Sequence, residues 1–375
     1  MQRRAPNSGS ATQCLAPRPP SRRDALALVG AGIAGCLAGP AALAQPASPA
    51  GGEPAAPGDD VRNAIARRAG ELDQFHSLVV AQGGEIAFAE AFRGPPVDRP
   101  VNIKSVSKTV VAALVGAGLH RGALEGVEQR FSDLAGDLVP EDTDPRVKEL
   151  TLSDLLTMQA GLERTSGPNY GRWIESANWI RFALSRPFVA EPGERMLYST
   201  GSYHLLGAAL SRTTGQSLLD LARAWLGEPL DIEIPPWTRD PQGFYLGGNN
   251  MAMSPLALIR FGELHRLGGV WEGDRLLAEG WVDAAWTPRT RSPYSGDRYG
   301  YGWFLSSAVG YDVAYARGYG GQMLYVVPAL ELTVAVTSDP TRPARSDGYV
   351  GDLNDLLARA IIPAAERIAG RPDNH

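Results

Sequence analysis

Two blocks of β-type pattern, one near each end of the folded part of the chain, enclose a long middle that reads as helix. In the first block, "HSLVVAQGGEIAFAEAF" gives two strand-like runs joined at Gly83-Gly84, a hairpin signature. In the second, "YGYGWFL", "YDVAYAR", "MLYVVP" and "LTVAVTS" read as four more short strands, followed by an amphipathic helix in "VGDLNDLLARAIIPAAERIA". A further helix is expected from Val61 to about Phe75, and residues from about Thr109 to Ala285 are mostly helical in pattern. Ser254-Pro255 before "LALIRFGELHRLGG" places a capping serine, a first-turn proline and terminating glycines around one of these helices. The simplest arrangement is an α+β fold: an antiparallel sheet flanked by terminal helices, with a helical region inserted in mid-chain. A cleft forms where two such parts meet, and ligand sites favour clefts.

The composition fits a globular protein: 375 residues, 44% hydrophobic, 21% charged, formal net charge −5. No basic run follows the first two dozen residues, so no nucleic-acid partner is expected. The N-terminus reads as a targeting segment. Arg22-Arg23 precede a weakly apolar stretch, and Ala42-Leu43-Ala44 before Gln45 offers an A-x-A cleavage site, so residues 1–44 resemble a twin-arginine export signal. Release into the periplasm is the expectation. The alternative is a lipoprotein anchored at Cys36, because Ile33-Ala34-Gly35-Cys36 resembles a lipobox. Gly30-x-Gly32-x-x-Gly35 imitates a dinucleotide fingerprint but lacks the strand before it and the βαβ unit after it. Both cysteines, Cys14 and Cys36, fall in this segment, so cleavage after Ala44 leaves a chain without thiol chemistry or disulfides. Residues 45–60 are rich in Pro, Ala and Gly and read as a disordered tether, with one folded domain over 61–370.

Ser105 and Lys108 lie one helical turn apart in "VNIKSVSKTVVAALV", where a long apolar run begins. That run occupies nearly all sides of a helix ending at Arg121-Gly122, so the helix is expected to be buried. Positions i and i+3 share a face, which sets Lys108 beside the serine hydroxyl and the free N–H groups of the first turn near any developing negative charge. A Ser-x-x-Lys match arises by chance in about one chain in five of this composition. The lysine usage is more telling. Of 36 Lys and Arg side chains only Lys104, Lys108 and Lys148 are lysine, and two of them flank this serine. Arginine does not release its proton at usable pH, whereas a buried lysine can.

With "YSTGSYHLLG" at 198–207 and "ARGYGGQMLYVVP" at 316–328, this motif resembles the serine β-lactamase and penicillin-binding-protein superfamily, especially its class C-like branch of esterases and 6-aminohexanoate-dimer hydrolases. "LTLSDLLTMQAGL" at 150–162 is similar to the helix and turn that follow the nucleophile helix in that branch. The resemblance implies that Ser105 is acylated, that Lys108 accepts or relays its proton, and that Tyr198 shares the proton and returns it to the leaving group. An alcohol attacks an ester or amide only when a neighbouring base removes its proton, and an acyl-enzyme splits the hydrolysis into two easier steps. The resemblance also implies an oxyanion hole from the backbone N–H groups of Ser105 and Tyr319, with Gly318 as the motif glycine; a slip of register to Gly320 stays open.

Two departures bear on the substrate. Ala316 stands where β-lactamases and peptidases carry a basic residue, with Arg317 next to it and expected to face the other way on the strand. Thr200 replaces the asparagine of the class C Tyr-x-Asn motif. Both favour a small ester or amide over a β-lactam or a D,D-peptidase substrate, although Arg317 can still stand in for the missing base. Tyr170, Trp173 and Trp179 are candidates for an acyl pocket, with buried packing as the other reading, and Gly247-Gly248-Asn249 reads as either a cleft border or a plain turn. The five histidines show no metal-ligand spacing, His204 reads as packed, and no metal or organic cofactor is expected. The rival from another class is a non-catalytic module that binds or senses cell-wall fragments.

Overall fold

The computed structural model describes residues 59–370, apart from positions 347 and 369. The expected export signal, Cys14, Cys36 and the tether up to residue 58 lie outside the described residues. The first helix, α1, is Asp59–Gly70, so it takes in the last two residues of the expected tether and stops at Gly70 rather than near Phe75.

The hairpin strands follow as β1 (Phe75–Gln82) and β2 (Glu85–Ala91), with Gln82 paired to Glu85 and both turn glycines at positive φ, 60° and 89°. Next come β3 (Val101–Lys104), α2 (Val106–His120), and the short helices α3 (Phe131–Ala135), α4 (Leu152–Leu156), α5 (Tyr170–Ile174) and α6 (Trp179–Leu184). After α7 (Thr200–Thr214) and α8 (Leu218–Ala222), β4 (Met251–Met253) pairs antiparallel with β3. Helix α9 (Pro255–Arg266), a small hairpin β5 (Val270–Trp271) and β6 (Asp274–Arg275), and α10 (Trp281–Ala285) complete the inserted region. The chain then returns to the sheet as β7 (Thr290–Arg291), β8 (Arg298–Tyr299), β9 (Phe304–Ala308), β10 (Tyr311–Gly318), β11 (Gln322–Val327) and β12 (Leu332–Ser338), and closes with α11 (Tyr349–Leu356) and α12 (Ile362–Ile368).

The large sheet runs β2-β1-β12-β11-β10-β9-β8-β7, all neighbours antiparallel, so the first hairpin completes a sheet made chiefly by the end of the chain. Helices cover both faces of its centre. Every residue of β11 and β12 is buried, which explains why these strands read as continuous apolar runs rather than as alternation. On one face α9 packs on β1, β11 and β12, and its Gly262 lies so near the sheet that a Cβ would come within 2.6 Å of the Thr333 methyl. Its neighbour Glu263 is 2% exposed yet fully partnered, accepting from Thr333 Oγ1 at 2.5 Å and from Arg266 Nε and Nη2 at 2.8 and 2.7 Å.

Two expected elements are broken, each at a residue that explains it. "YGYGWFL" is not one strand: Gly302 adopts φ 80° and aims its carbonyl at Thr109 Oγ1 of α2, 2.7 Å away, so the chain turns between β8 and β9. The closing helix contains a π-type turn over Leu357–Ile361, just before Pro363. Proline cannot donate to the carbonyl four residues back, and that carbonyl, of Arg359, instead accepts from Arg68 Nη1 of α1 at 3.0 Å.

Helix α2 is the axis of the molecule. All residues from Val106 to Gly118 are buried, and α2 packs on α7, β10 and β11 at once. Its apolar circumference is what a helix enclosed on all sides requires. Truncating Leu114→Ala, at a side chain with no exposure, should destabilise the fold by about 2–5 kcal/mol. Urea denaturation, through a lower midpoint at unchanged slope, measures it.

Candidate active site

Ser105 sits at the junction of β3 and α2, with φ −75° and ψ −4°, and its hydroxyl makes no capping bond to the helix. The residue before it, Lys104, takes φ 50°, a backbone region that side chains other than glycine avoid at a cost of about 1–3 kcal/mol. The surroundings hold that turn. Lys104 N–H donates to Asn102 Oδ1 at 2.9 Å, and Ser107 Oγ donates to the Lys104 carbonyl at 2.5 Å while accepting from Met251 N–H at 3.1 Å. The short β3–β4 pair therefore ties the serine to the loop that precedes β4, residues 247–250.

Lys108 is 2% exposed and has no carboxylate within salt-bridge reach among the described residues. Its Nζ lies 2.9 Å from Ser105 Oγ, 3.2 Å from Thr200 Oγ1 and 2.6 Å from the Gly248 carbonyl. Burial pushes its pKa down to about 7, because desolvation penalises the ammonium and no anion compensates. The three partners also limit where the lone pair can point. Gly248 O carries no proton and must accept, so a neutral amine that keeps N–H bonds to Gly248 and Thr200 turns its lone pair to the Ser105 hydroxyl.

Tyr198, just before α7, lies with its ring centroid 5.0 Å from Lys108 Nζ. Burial raises its pKa, and the Ser105 hydroxyl and the Arg317 charge pull it part of the way back. A clamp of small hydroxyls fixes this segment: Ser166 Oγ accepts from Thr200 N–H at 2.8 Å, Thr165 Oγ1 accepts from Gly201 N–H at 2.8 Å, and Ser199 Oγ accepts from Thr165 N–H at 3.1 Å.

These groups open onto a cavity of about 520 Å³. Ser105, Tyr198, Thr200, Gly318 and Tyr319 line it, with Tyr170, Tyr294 and Phe304 as its aromatic walls. Gly318 ends β10 hard against β3, where any Cβ would strike the Ile103 carbonyl, so only glycine lets the two strands approach this closely. Gly320 is not on the wall; it turns at φ 83°, where a Cβ would strike the Asp339 carbonyl. Trp173 is likewise a correction. It is fully buried with Trp179 and Leu246, and its indole N–H donates to the Trp179 carbonyl at 2.9 Å, so neither tryptophan reaches the pocket that Tyr170 lines. Arg317 also departs from expectation: it lies on the pocket wall, donating to Ser346 Oγ at 2.7 Å and the Ala344 carbonyl at 2.8 Å. Ala316, its neighbour on the strand, points into the core.

Sequence reasoning missed Ser166 and the role of Gly248. Its carbonyl belongs to a Gly-Gly-Asn run that the sequence does mark as a glycine loop, and Asn249 lines the cavity while donating to Tyr170 Oη at 2.8 Å. Among the described residues no group of three or more His, Cys, Asp or Glu is placed to hold a metal ion.

The beta-lactamase family model matches residues 75–359, which takes in the whole sheet, the inserted helices and every residue of this cavity. The chain belongs to the beta-lactamase family. It is 25% identical over 254 residues to a 6-aminohexanoate-dimer hydrolase of Paenarthrobacter ureafaciens. That match covers 62% of this chain and spans 64% of the relative's length. Two solved structures share the fold. EstCE1, a hydrolase with promiscuous acyltransferase activity, superposes with a TM-score of 0.66 at 16% identity, covering 80% of this chain and 98% of EstCE1. A class C beta-lactamase from Rhodobacter sphaeroides does so with a TM-score of 0.61 at 16% identity, covering 81% of this chain and all of that one.

The burial of Lys108 has a consequence for stability. A lysine with a lowered folded-state pKa binds its proton more readily in the unfolded chain, so stability falls as pH drops from about 10.4 and levels off below about 7. Lys108→Met removes that dependence. The variant should gain on wild type by something on the order of 4 kcal/mol across this window, as measured by chemical denaturation at pH 6, 8 and 10.

Proposed function

We propose that this beta-lactamase-family hydrolase cleaves small esters or amides through an acyl-enzyme at Ser105. The observation that carries the reading is Lys108: buried, without a counter-ion among the described residues, lowered to about 7, and 2.9 Å from Ser105 Oγ. In this reading the lone pair of neutral Lys108 takes the hydroxyl proton as Oγ bonds to the substrate carbonyl carbon. The carbonyl oxygen becomes an oxyanion facing the N–H groups of Ser105 and Tyr319. Tyr198, which burial keeps protonated, gives its proton to the departing alcohol or amine and is resupplied from Lys108. Water then attacks the acyl carbon with the same groups in reverse order and releases the acid.

The aromatic lining from Tyr170, Tyr294 and Phe304 supports a substrate with a largely apolar body. The identity to a 6-aminohexanoate-dimer hydrolase supports testing linear amides beside esters. One observation favours a second reading: the Arg317 guanidinium on the pocket wall suits a carboxylate, which a β-lactam or a D,D-peptidase substrate would bring. The twin arginines and the A-x-A site support export with cleavage after Ala44, and mass spectrometry of the mature N-terminus should find Gln45. A lipidated Cys36 at the N-terminus would replace that view with an anchored protein.

A fluorophosphonate should label wild type and not Ser105→Ala, and the labelling rate should rise with pH through about 7 as Lys108 loses its proton, then level. Wild type that takes no label leaves the non-catalytic module as the better reading. Comparison of short-chain p-nitrophenyl esters, linear amide oligomers and a chromogenic cephalosporin should put the esters or amides first; a preference for the cephalosporin overturns the substrate class.

A further inference from the structure

Behind the pocket wall lies a titratable pair that the reaction as described does not use. His204 of α7 and Asp240 have fully buried side chains, with Nε2 3.0 Å from Asp240 Oδ2. On the other side of the ring, Gly247 N–H donates to Nδ1 at 3.4 Å. Only a bare nitrogen can accept from a peptide N–H, so the ring proton sits on Nε2 and is donated to the carboxylate. The second carboxylate oxygen, Oδ1, accepts from the N–H groups of Gln242 and Phe244 at 2.9 and 2.8 Å. Asp240 thereby fixes both the turn it begins and the tautomer of His204. The ring cannot swing away, because Trp173 and Trp179 meet it edge-on, with centroids 5.8 and 5.7 Å distant.

What His204 holds is the loop that completes the site. Gly247 is pressed so closely on α7 that a Cβ would strike the Tyr203 carbonyl. The next residue supplies the carbonyl 2.6 Å from Lys108 Nζ, and the one after it donates to Tyr170 Oη at 2.8 Å. We propose that His204 and Asp240 are positioning residues: through Gly247 N–H they hold the Gly248 carbonyl on Lys108 and so keep the lysine lone pair aimed at Ser105. This rests on the role of Lys108 proposed above.

Simple packing would not depend on which ring nitrogen is replaced, whereas positioning does. In His204→Asn the amide oxygen falls near the Nδ1 position and keeps the acceptor for Gly247. In His204→Gln the terminal amide falls near Nε2 and keeps only the bond to Asp240. Asp240→Asn sets a donor against a donor whichever way its amide turns: against His204 Nε2–H, or against the N–H groups of Gln242 and Phe244. If His204 switches tautomer instead, the mismatch passes to Gly247.

The test measures the second-order rate of fluorophosphonate labelling at Ser105, kcat and KM on a p-nitrophenyl ester, and thermal unfolding, all on the full chain. His204→Asn should label within about threefold of wild type, while His204→Gln and Asp240→Asn slow labelling about tenfold or more, with the loss in kcat rather than KM. Equal slowing by His204→Asn and His204→Gln overturns the proposal, as does Asp240→Asn labelling at the wild-type rate. If either histidine variant fails to fold, Asp240→Asn, which changes one oxygen to an amide nitrogen, decides alone. Absence of labelling in wild type is a different result, removing the Ser105 reading and this inference with it.

Discussion

A single ammonium-bearing side chain placed where water cannot follow sets the terms for the rest of this structure. Lys108 projects from a helix that is buried all the way round, and the groups within hydrogen-bond reach of its Nζ come from three separate parts of the chain. Each acceptor is neutral. A carboxylate in any of these places would hold the proton on the lysine and cancel the lowering that burial produces. The architecture meets this with a backbone carbonyl and two hydroxyls, all weak acceptors by comparison. The two-stranded β3–β4 pair, too small to stabilise itself, makes sense as the strut that brings the serine and the Gly248 loop to the same lysine.

The same demand explains where backbone strain and glycine occur. Lys104 is forced to positive φ because β3 must turn at once into α2 with the serine side chain left outside the helix cap. Gly318 and Gly247 admit close approaches on two sides, one strand to another and a loop to α7. Both kinds of departure from easy local structure cost stability, and the surrounding core of fully buried strands and helix offsets them.

Much of this was legible in the sequence, for physical reasons that differ by element. The sheet's composition from both chain ends followed from period-2 and continuous apolar runs bounded by glycines, and the buried helix from its unbroken apolar circumference. Ser105, Lys108 and Tyr198 stood out because their side chains carry the chemistry proposed for the site, and because lysine is scarce here. The Gly248 carbonyl was invisible: a backbone acceptor leaves no mark in residue identity, and only its glycines hinted at a close approach. Trp173 misled because an aromatic that lines a pocket and one that packs behind it have the same composition, and Tyr170, three residues away, is the one on the wall. Arg317 misled because strand alternation was counted with Ala316 on the cleft side, whereas Ala316 faces the core and Arg317, at the strand end, faces the pocket wall. The π-type turn at Leu357–Ile361 had its cause in plain view at Pro363.

The cavity and the lysine are divided in a way that bears on how the site works. Ser105 and Tyr198 line the cavity, while Lys108 lies behind them and is not part of its wall. A substrate entering the cavity displaces water from the serine and the tyrosine, but finds the lysine already dry. The lowered pKa of Lys108 is therefore a property of the free protein, set by the fold and not drawn from the energy of substrate binding. What substrate burial can still alter is the tyrosine, whose proton is held by burial and opposed by the Ser105 hydroxyl and the Arg317 charge. In the proposed reaction the base is thus prepared before the substrate arrives, and the proton donor is left as the group that responds to what occupies the pocket.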